Sequence, residues 1–357
     1  MNYVGIDIHK RYSVLTAMDG RGRKLGQARI EGNSASGFAQ NLKGLKGRSK
    51  VVIEACWNWG KVYDTLEGIP EVAEVILAHP FKTRLIAEAQ IKTDKVDSEA
   101  LATLLRGNLV ARAHVPCKET RHRKDALRQR LYWARMRTRI RNRTHALLDR
   151  QHELALPQCS DLFGVKGMHA LKELRLPEPD GTMLREDLEL LDLVGRKMRE
   201  QEKRIAAQNE LNAEARRLLS IPGMGPILAS VAAAEIDQIE RFQSAEKLCA
   251  YAGLVPTTAS SGGKTYHGPL LPLCNKWLRW AFTEAAWVAV GCSGYFGKLY
   301  RHHRARGKKA NTAITIVARR MCRIAWQLLK QNRDFQQEPI ARRPENTLHT
   351  FPGRSAC

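Results

Sequence analysis

Four carboxylates stand in places where carboxylates are costly. Asp7 lies inside the apolar run YVGIDI, Glu54 inside VVIEAC, and Asp94 and Asp97 sit three apart in IKTDKVDSEALA. A buried carboxylate without a partner is strongly destabilising and therefore rare. Four that converge require a cation, and hard oxygen donors suit Mg²⁺ or Mn²⁺. Two such ions can stabilise both the attacking and the leaving oxygen in phosphodiester cleavage. Each acid alone has a plainer role, as a turn residue, as an N-cap at Asp97, or as a partner of Lys10, Lys92 or Lys95. Set in the two most apolar strands and at a helix start, together they read as a metal cage.

Three further stretches could handle phosphates. In SIPGMGPILAS, Gly223 and Gly225 lie between two helical segments, the pattern of a helix-hairpin-helix turn. Glycine lets a backbone approach a phosphate, and the next helix offers free N–H groups. The alternative is a plain helix–helix turn. In GLVPTTASSGGKTYHG, Ser260 and Ser261 precede Lys264 in a glycine-flanked loop, with Lys276 and Arg279 downstream. By composition this is a phosphate-contacting loop, although a hydroxyl activated by a base or metal could attack phosphorus. In ARMRTRIRNRTHALL, Arg135, Arg137, Arg139, Arg141 and Arg143 occupy alternate positions. At 100° per residue they wrap most of a helix, which suits binding to a DNA or RNA backbone. The tryptophans, Trp57 and Trp59 among them, read mainly as core residues.

The elements that must position these groups follow from periodicity. YVGIDIHK, YSVLTAMD, KLGQARIE, SKVVIEAC and EVILAHP read as strands, with LVARAHVP as a last short one. SASGFAQNLKGL, GKVYDTLEGI and SEALATLLRGN read as helices, the first capped by Ser34 or Ser36 and the last starting at Asp97 or Ser98. Three strands followed by helix–strand units predict a mixed sheet flanked by helices. Residues 118–150 read as one long basic helix with Leu127, Leu131, Ala134, Thr138 and Ile140 on its apolar side. The Pro- and Gly-rich stretch 151–181 reads as loop. A second long helix is expected from about Met183 to Leu219, pairing with the first as an antiparallel coil. Helices over CNKWLRWAFTEAAWVAV and from Lys309 to Gln331 precede a tail with a disordered composition.

Composition narrows the partner. The 357 residues carry 59 Lys and Arg against 36 Asp and Glu, a formal charge of +23. That excess implies a polyanion, most simply nucleic acid. It is uneven: residues 111–150 hold 13 basic and 3 acidic side chains, whereas residues 1–110 hold 16 and 12. No apolar run reaches membrane-spanning length, and the start lacks signal-peptide features. The eight cysteines include no C-x-x-C pair, so neither a disulfide framework nor a zinc site is expected, and a reducing cytoplasm is.

In order, VGIDIHK, VIEACWNWG, KTDKVDSEALA, IPGMGPILAS, YAGLVPTTASSGGK and NKWLRWAFTEAAW closely resemble the DEDD transposases of bacterial insertion sequences, relatives of the Piv-type DNA invertases. The resemblance spans roughly residues 1–330. It implies a RuvC-like (RNase H) domain over 1–115, a basic helix and coiled-coil region over 116–217, and a mostly helical transposase domain over 218–331, before the tail 332–357. It also implies that Asp7, Glu54, Asp94 and Asp97 bind Mg²⁺, and that a serine, carried to Ser261 with Ser260 second, becomes joined to DNA. A bridge RNA that pairs with target and donor is implied, as are dimers and tetramers with acids and serine from different subunits. The resemblance departs in HGPLLPLCNKWLRW, where relatives carry Lys and Gly and this chain carries Pro272 and Cys274. A RuvC-type nuclease that hydrolyses with water, an ATPase with the actin-like fold and a non-catalytic nucleic-acid binder are the alternatives. The charge and the shortage of Gly-rich phosphate motifs argue against the ATPase.

Overall fold

The computed structural model describes residues 1–86, 93–151 and 159–336. It divides into two compact units, Met1–Pro116 and Cys117–Cys357.

The first unit is built on a five-stranded sheet: β1 (Asn2–Ile8), β2 (Tyr12–Met18), β3 (Lys24–Glu31), β4 (Ser49–Glu54) and β5 (Val72–Ala78), in the order β3-β2-β1-β4-β5. β1 pairs antiparallel with β2 and parallel with β4, and β4 pairs parallel with β5. This mixed α/β arrangement is consistent with a RuvC-like domain. Strand alternation sorts the side chains to two faces. Val4, Ile6, Val51 and Ile53 pack with Phe38 and Leu42 of α1 (Ala35–Lys43) and Val62 and Leu66 of α2 (Trp59–Glu67). Val52 and Ile76 pack instead with Leu101 and Leu105 of α4 (Asp94–Arg106). Tyr3, Gly5 and Asp7 alternate to the α4 face, as does Glu54, two residues beyond Val52. Gly5 is required there, because a Cβ would collide with the Ser98 carbonyl and the Ala102 amide of α4. Ser98 also hydrogen-bonds Thr16 of β2 at 2.7 Å in a buried contact.

α1 begins at Ser34, whose side chain accepts from the Gly37 amide. α4 begins earlier than predicted, after Thr93, whose hydroxyl caps Val96, so Asp94 and Asp97 both lie in the first turn. Thr93 is an ordinary N-cap type, and Asp97 is thus not a cap. LVARAHVP forms no strand; it contributes one isolated bridge, Ala78 with Arg112. α3 (Pro80–Ile86) follows β5.

The second unit contains two long helices, α5 (Lys118–Asp149) and α7 (Asp180–Leu211), each 32 residues and so about 48 Å long. Ile140, Leu147 and Leu148 pack against Leu184, Leu188, Leu191 and Val194. Ion pairs Arg150–Asp180, Arg143–Asp187 and Arg130–Glu202 run in opposite sequence directions, so the helices are antiparallel. Leu127 and Leu131 are buried as expected, but Thr138 is exposed. The predicted second helix is interrupted: Asn212 leaves helical geometry and caps α8 (Ala213–Leu219) by accepting from Ala215. The predicted loop 151–181 contains α6 (Val165–Glu173), whose Leu171 joins the α5–α7 core.

The remaining helices, α9 (Pro226–Ile236), α10 (Ala245–Tyr251), α11 (Lys276–Cys292), α12 (Gly294–Ala305) and α13 (Ala310–Gln331), enclose a core that includes Leu218, Leu248, Phe282, Phe296 and Met321. The TTASSGG segment is not a loose loop but a hairpin of β6 (Pro256–Ser261) and β7 (Lys264–Leu270). The tail expected from 332 is ordered at its start: Phe335 stacks on Phe296, and its amide bonds Ser220 at 2.7 Å. Residues 337–357 and Lys92 lie outside the described residues.

Candidate catalytic and nucleic-acid-binding sites

At the C-terminal end of β1, strand alternation aims Asp7 and His9 the same way. Gly5 lets α4 close on that face, which brings its first turn to them. His9 Nε2 lies 2.9 Å from Asp7 Oδ2 and 3.3 Å from Asp94 Oδ1. One ligand atom each from Asp7, His9 and Asp94 fall within 4.8 Å of one another. The Tyr12 hydroxyl donates to Asp94 Oδ2 at 2.8 Å, and its ring stacks on His9. The Arg29 guanidinium covers that ring at 3.6 Å. Burial lifts the Asp7 carboxyl above its ordinary value, His9 pulls it back, and Asp94 and Asp97 lift it further. The hydrogen bond to Asp94 raises the Tyr12 phenol.

Glu54 ends β4 one step past the Ile6–Ile53 pair, beside Asp7 on the same face. Asp97 is three residues along α4 from Asp94, close enough to act on Asp7 electrostatically. The structure thus brings Asp7 and Asp94 together directly, Asp97 within electrostatic reach, and Glu54 to the adjoining strand end.

These residues fit a divalent ion. Asp94 and Asp97 both repel the partly buried Asp7, the donors are mostly hard oxygens, and a cation relieves both burial and repulsion. His9 bridges the two nearest acids and adds a nitrogen donor. Sequence reasoning missed His9 and Tyr12. The signal for His9 was present, since it stands two residues after Asp7 on the same strand face. Tyr12 is brought in by the tight β1–β2 turn, closed by the His9 amide on the Tyr12 carbonyl at 2.9 Å.

In the second unit, Gly262 and Gly263 turn the β6–β7 hairpin with φ of +56° and +75°, as a two-residue turn requires. Ser260 and Ser261 point to opposite faces. Ser260 Oγ is 3.0 Å from Thr265 Oγ1. Ser261 pairs across the turn with Lys264, is exposed, and its Oγ has no hydrogen-bond partner among the described residues. Burial and hydrogen bonding therefore leave Ser261 the more available hydroxyl and Lys264 the nearest cation in the strand register.

The expected nucleic-acid contacts divide. Gly223 has φ +84°, and a Cβ there would collide with α11 at Ala285 and Ala289, so helix packing already requires it. Gly225, the N-cap of α9, faces open space and makes no side-chain cap. Arg279 donates to the Leu271 carbonyl and, with Cys274, closes over Gly253, which gives it an internal role. Lys276 is exposed at the start of α11, and Pro272 is exposed ahead of it. Asn275 caps α11 and also donates to Glu235 Oε2 at 2.8 Å. Glu235 is buried and faces Lys124 at 3.2 Å and Arg128 at 3.3 Å from α5.

Of the alternating arginines, Arg143 lies 3.1 Å from the buried Asp187, Arg141 stacks on Phe163 at 4.9 Å, and Arg135 covers Trp277 at 4.9 Å. Burial lowers the Arg137 guanidinium, with Arg141 and Arg130 adding to it. Arg139 is exposed. Burial raises the Asp187 carboxyl, opposed by Arg143. Trp57, expected in the core, is 76% exposed.

Residues 4–153 match the family model of IS110-type DEDD transposases. Residues 215–301 match the model described as Transposase IS116/IS110/IS902 family. A probable family 20 transposase of Pseudomonas aeruginosa is 26% identical over 295 residues, covering 79% of this chain and 84% of that protein. The insertion element IS116 uncharacterized 44.8 kDa protein of Streptomyces clavuligerus is 33% identical over 122 residues, 34% of this chain and 30% of its own length. The pilin gene-inverting protein of Moraxella bovis is 32% identical over 130 residues, 36% and 40% of the two chains. None of the described helices is long and apolar enough to cross a membrane.

Proposed function

The chain belongs to the DEDD-type transposases of insertion sequences, enzymes that recombine DNA, and from that premise we propose how its own residues divide the work. Asp7, Glu54, Asp94 and Asp97 hold Mg²⁺ or Mn²⁺ at the C-terminal end of β1 and β4. When bound, the ion supplies charge stabilisation to the phosphate oxygens. His9 and Tyr12 fix the orientation of Asp7 and Asp94. The Ser261 hydroxyl attacks phosphorus and forms a phosphoserine ester. The deoxyribose oxygen leaves and takes up a proton, in net replacement of the one that serine loses. A hydroxyl of a new DNA end then attacks the ester and releases Ser261. The bond energy is conserved, so ATP is not needed.

In this reading residues 1–115 form the RuvC-like catalytic domain and 116–217 a basic coiled-coil region. Residues 218–331 carry the helix-hairpin-helix and the serine. Arg139, Lys264 and Lys276 are available to phosphates, and a bridge RNA pairs with target and donor. Dimers or tetramers supply acids and serine from different subunits, in the bacterial cytoplasm beside the nucleoid. Arg279 still holds the Leu271 carbonyl at the base of the serine hairpin although Pro272 and Cys274 depart from the relatives' pattern.

The observation that supports this reading most is the convergence of Asp7 and Asp94 at one strand end, inside the segment that matches the DEDD family model. The test is to incubate the chain with its element's ends, the adjacent noncoding RNA and Mg²⁺, and to search for DNA linked to serine. The expected result is an adduct at Ser261 that Ser261→Ala abolishes. Cleavage by Ser261→Ala at the wild-type rate would favour the hydrolytic nuclease instead.

A further inference from the structure

We propose that Trp57 is a stacking platform for one base of the nucleic-acid strand held at the acids; this rests on reading the acids as the strand-cleaving site. Trp57 is 76% exposed, more than any other Trp, Phe or Tyr among the described residues. A tryptophan offers a large flat apolar face with a polar edge, the kind of surface that recurs where a protein meets its partners.

The backbone places it. The Ala55 amide donates to Ala78 at 3.1 Å and the Cys56 amide to Glu54 at 2.8 Å, so the chain turns at once where β4 ends. Three Cα steps separate Trp57 from Glu54, so their Cα atoms lie within about 11 Å. The Cys56 thiol donates to the Asn58 side chain at 3.0 Å, tying the loop on both sides of the indole. The loop is therefore held, while the ring is in solvent.

The surroundings select the occupant. β1, β4 and β5 run parallel, so their C-terminal ends share one edge, where ligands of open α/β sheets bind. Phe81, 42% exposed, opens α3 just beyond β5. Lys10 and Arg11 follow β1, and Lys82 follows Phe81, all exposed. Exposed aromatic rings among cations match single-stranded nucleic acid, whose bases stack while its phosphates are neutralised. The buried centre of a protein interface is instead depleted in charge.

The test uses the full chain and a fluorescein-labelled single-stranded DNA oligonucleotide from the element's end, with affinity read by anisotropy over a salt series. Trp57→Ala should bind about tenfold more weakly. Trp57→Phe should stay close to wild type and Trp57→Leu should resemble Trp57→Ala, because the face must be aromatic. The salt slope should not change, since no phosphate contact is lost. An abasic nucleotide at the stacked position should weaken the wild type and leave Trp57→Ala indifferent. Equal affinity of Trp57→Ala and wild type for every oligonucleotide would overturn the proposal. So would a loss that accompanies dissociation of the protein in sedimentation, which would make Trp57 a subunit contact. The serine-adduct assay reads separately: an adduct that forms with no effect of Trp57→Ala on binding overturns the platform alone. Trp57-dependent binding with no adduct supports the platform and overturns the recombination reading.

Discussion

Replacing Gly5 by alanine tests whether the acid site depends on how closely α4 approaches β1. The added Cβ would meet the Ser98 carbonyl and the Ala102 amide, which are helix backbone and cannot rotate aside. Either α4 or β1 must move. Overpacking of this kind costs about 1–3 kcal/mol. For a unit the size of Met1–Pro116, each kcal/mol is roughly 4 °C in Tm, so a fall of about 4–12 °C is expected by calorimetry. The first turn of α4 carries Asp94, now 3.3 Å from His9. A shift of about 1 Å would lengthen that contact beyond hydrogen-bond reach. Mn²⁺ affinity, followed by electron paramagnetic resonance, should fall about tenfold. Gly26→Ala is the control, because a Cβ there meets nothing within 4 Å. If Gly5→Ala melted with the wild type and bound Mn²⁺ equally well, the dependence of the site on this close approach would be refuted.

Gly223→Ala combines a collision with α11 and a φ of +84°, and should destabilise the second unit by about 2–4 kcal/mol in urea denaturation. Glu235→Leu leaves the largely buried Lys124 without its carboxylate and should cost about 3–5 kcal/mol by the same measurement. Ser260→Ala should retain the covalent DNA adduct that Ser261→Ala loses, as resolved by denaturing electrophoresis. Asp187 has a folded pKa above its ordinary 3.8, so it favours the folded state at acid pH, and that contribution is lost as pH rises through the raised value. Asp187→Asn should therefore be relatively more stable at neutral pH than at pH 4 when compared with the wild type, as read from Tm against pH.

The first unit was largely legible because its strands alternate cleanly. Odd positions in β1 hold Tyr3, Gly5 and Asp7, and this alone assigns a face to the acid. His9 continues the same series and was overlooked because a histidine beside Lys10 reads as a solvated turn. Of the long helices, α5 was legible from its lack of Gly and Pro and α7 from its leucines and mixed charges, but not the break at Asn212, where a polar cap interrupts an otherwise helical run. α6 was hidden by the prolines and glycines around it. Gly167 sits inside that helix as glycine because a Cβ there would strike the Leu162 backbone, and no local pattern announces such a contact. In TTASSGGKTYHG the paired glycines suggested looseness, although two glycines between short β-prone runs also signal a tight hairpin. The arginines of α5 show the limit most clearly. Their spacing suggested one common task, but Arg143 answers to Asp187 and Arg141 to Phe163, partners set by tertiary packing.

The serine hairpin is only two strands wide and almost wholly exposed. A ribbon of that kind has little stability of its own. Ser260 and Ser261 therefore ride on an arm whose direction is set by what it packs against, more than by the two strands themselves.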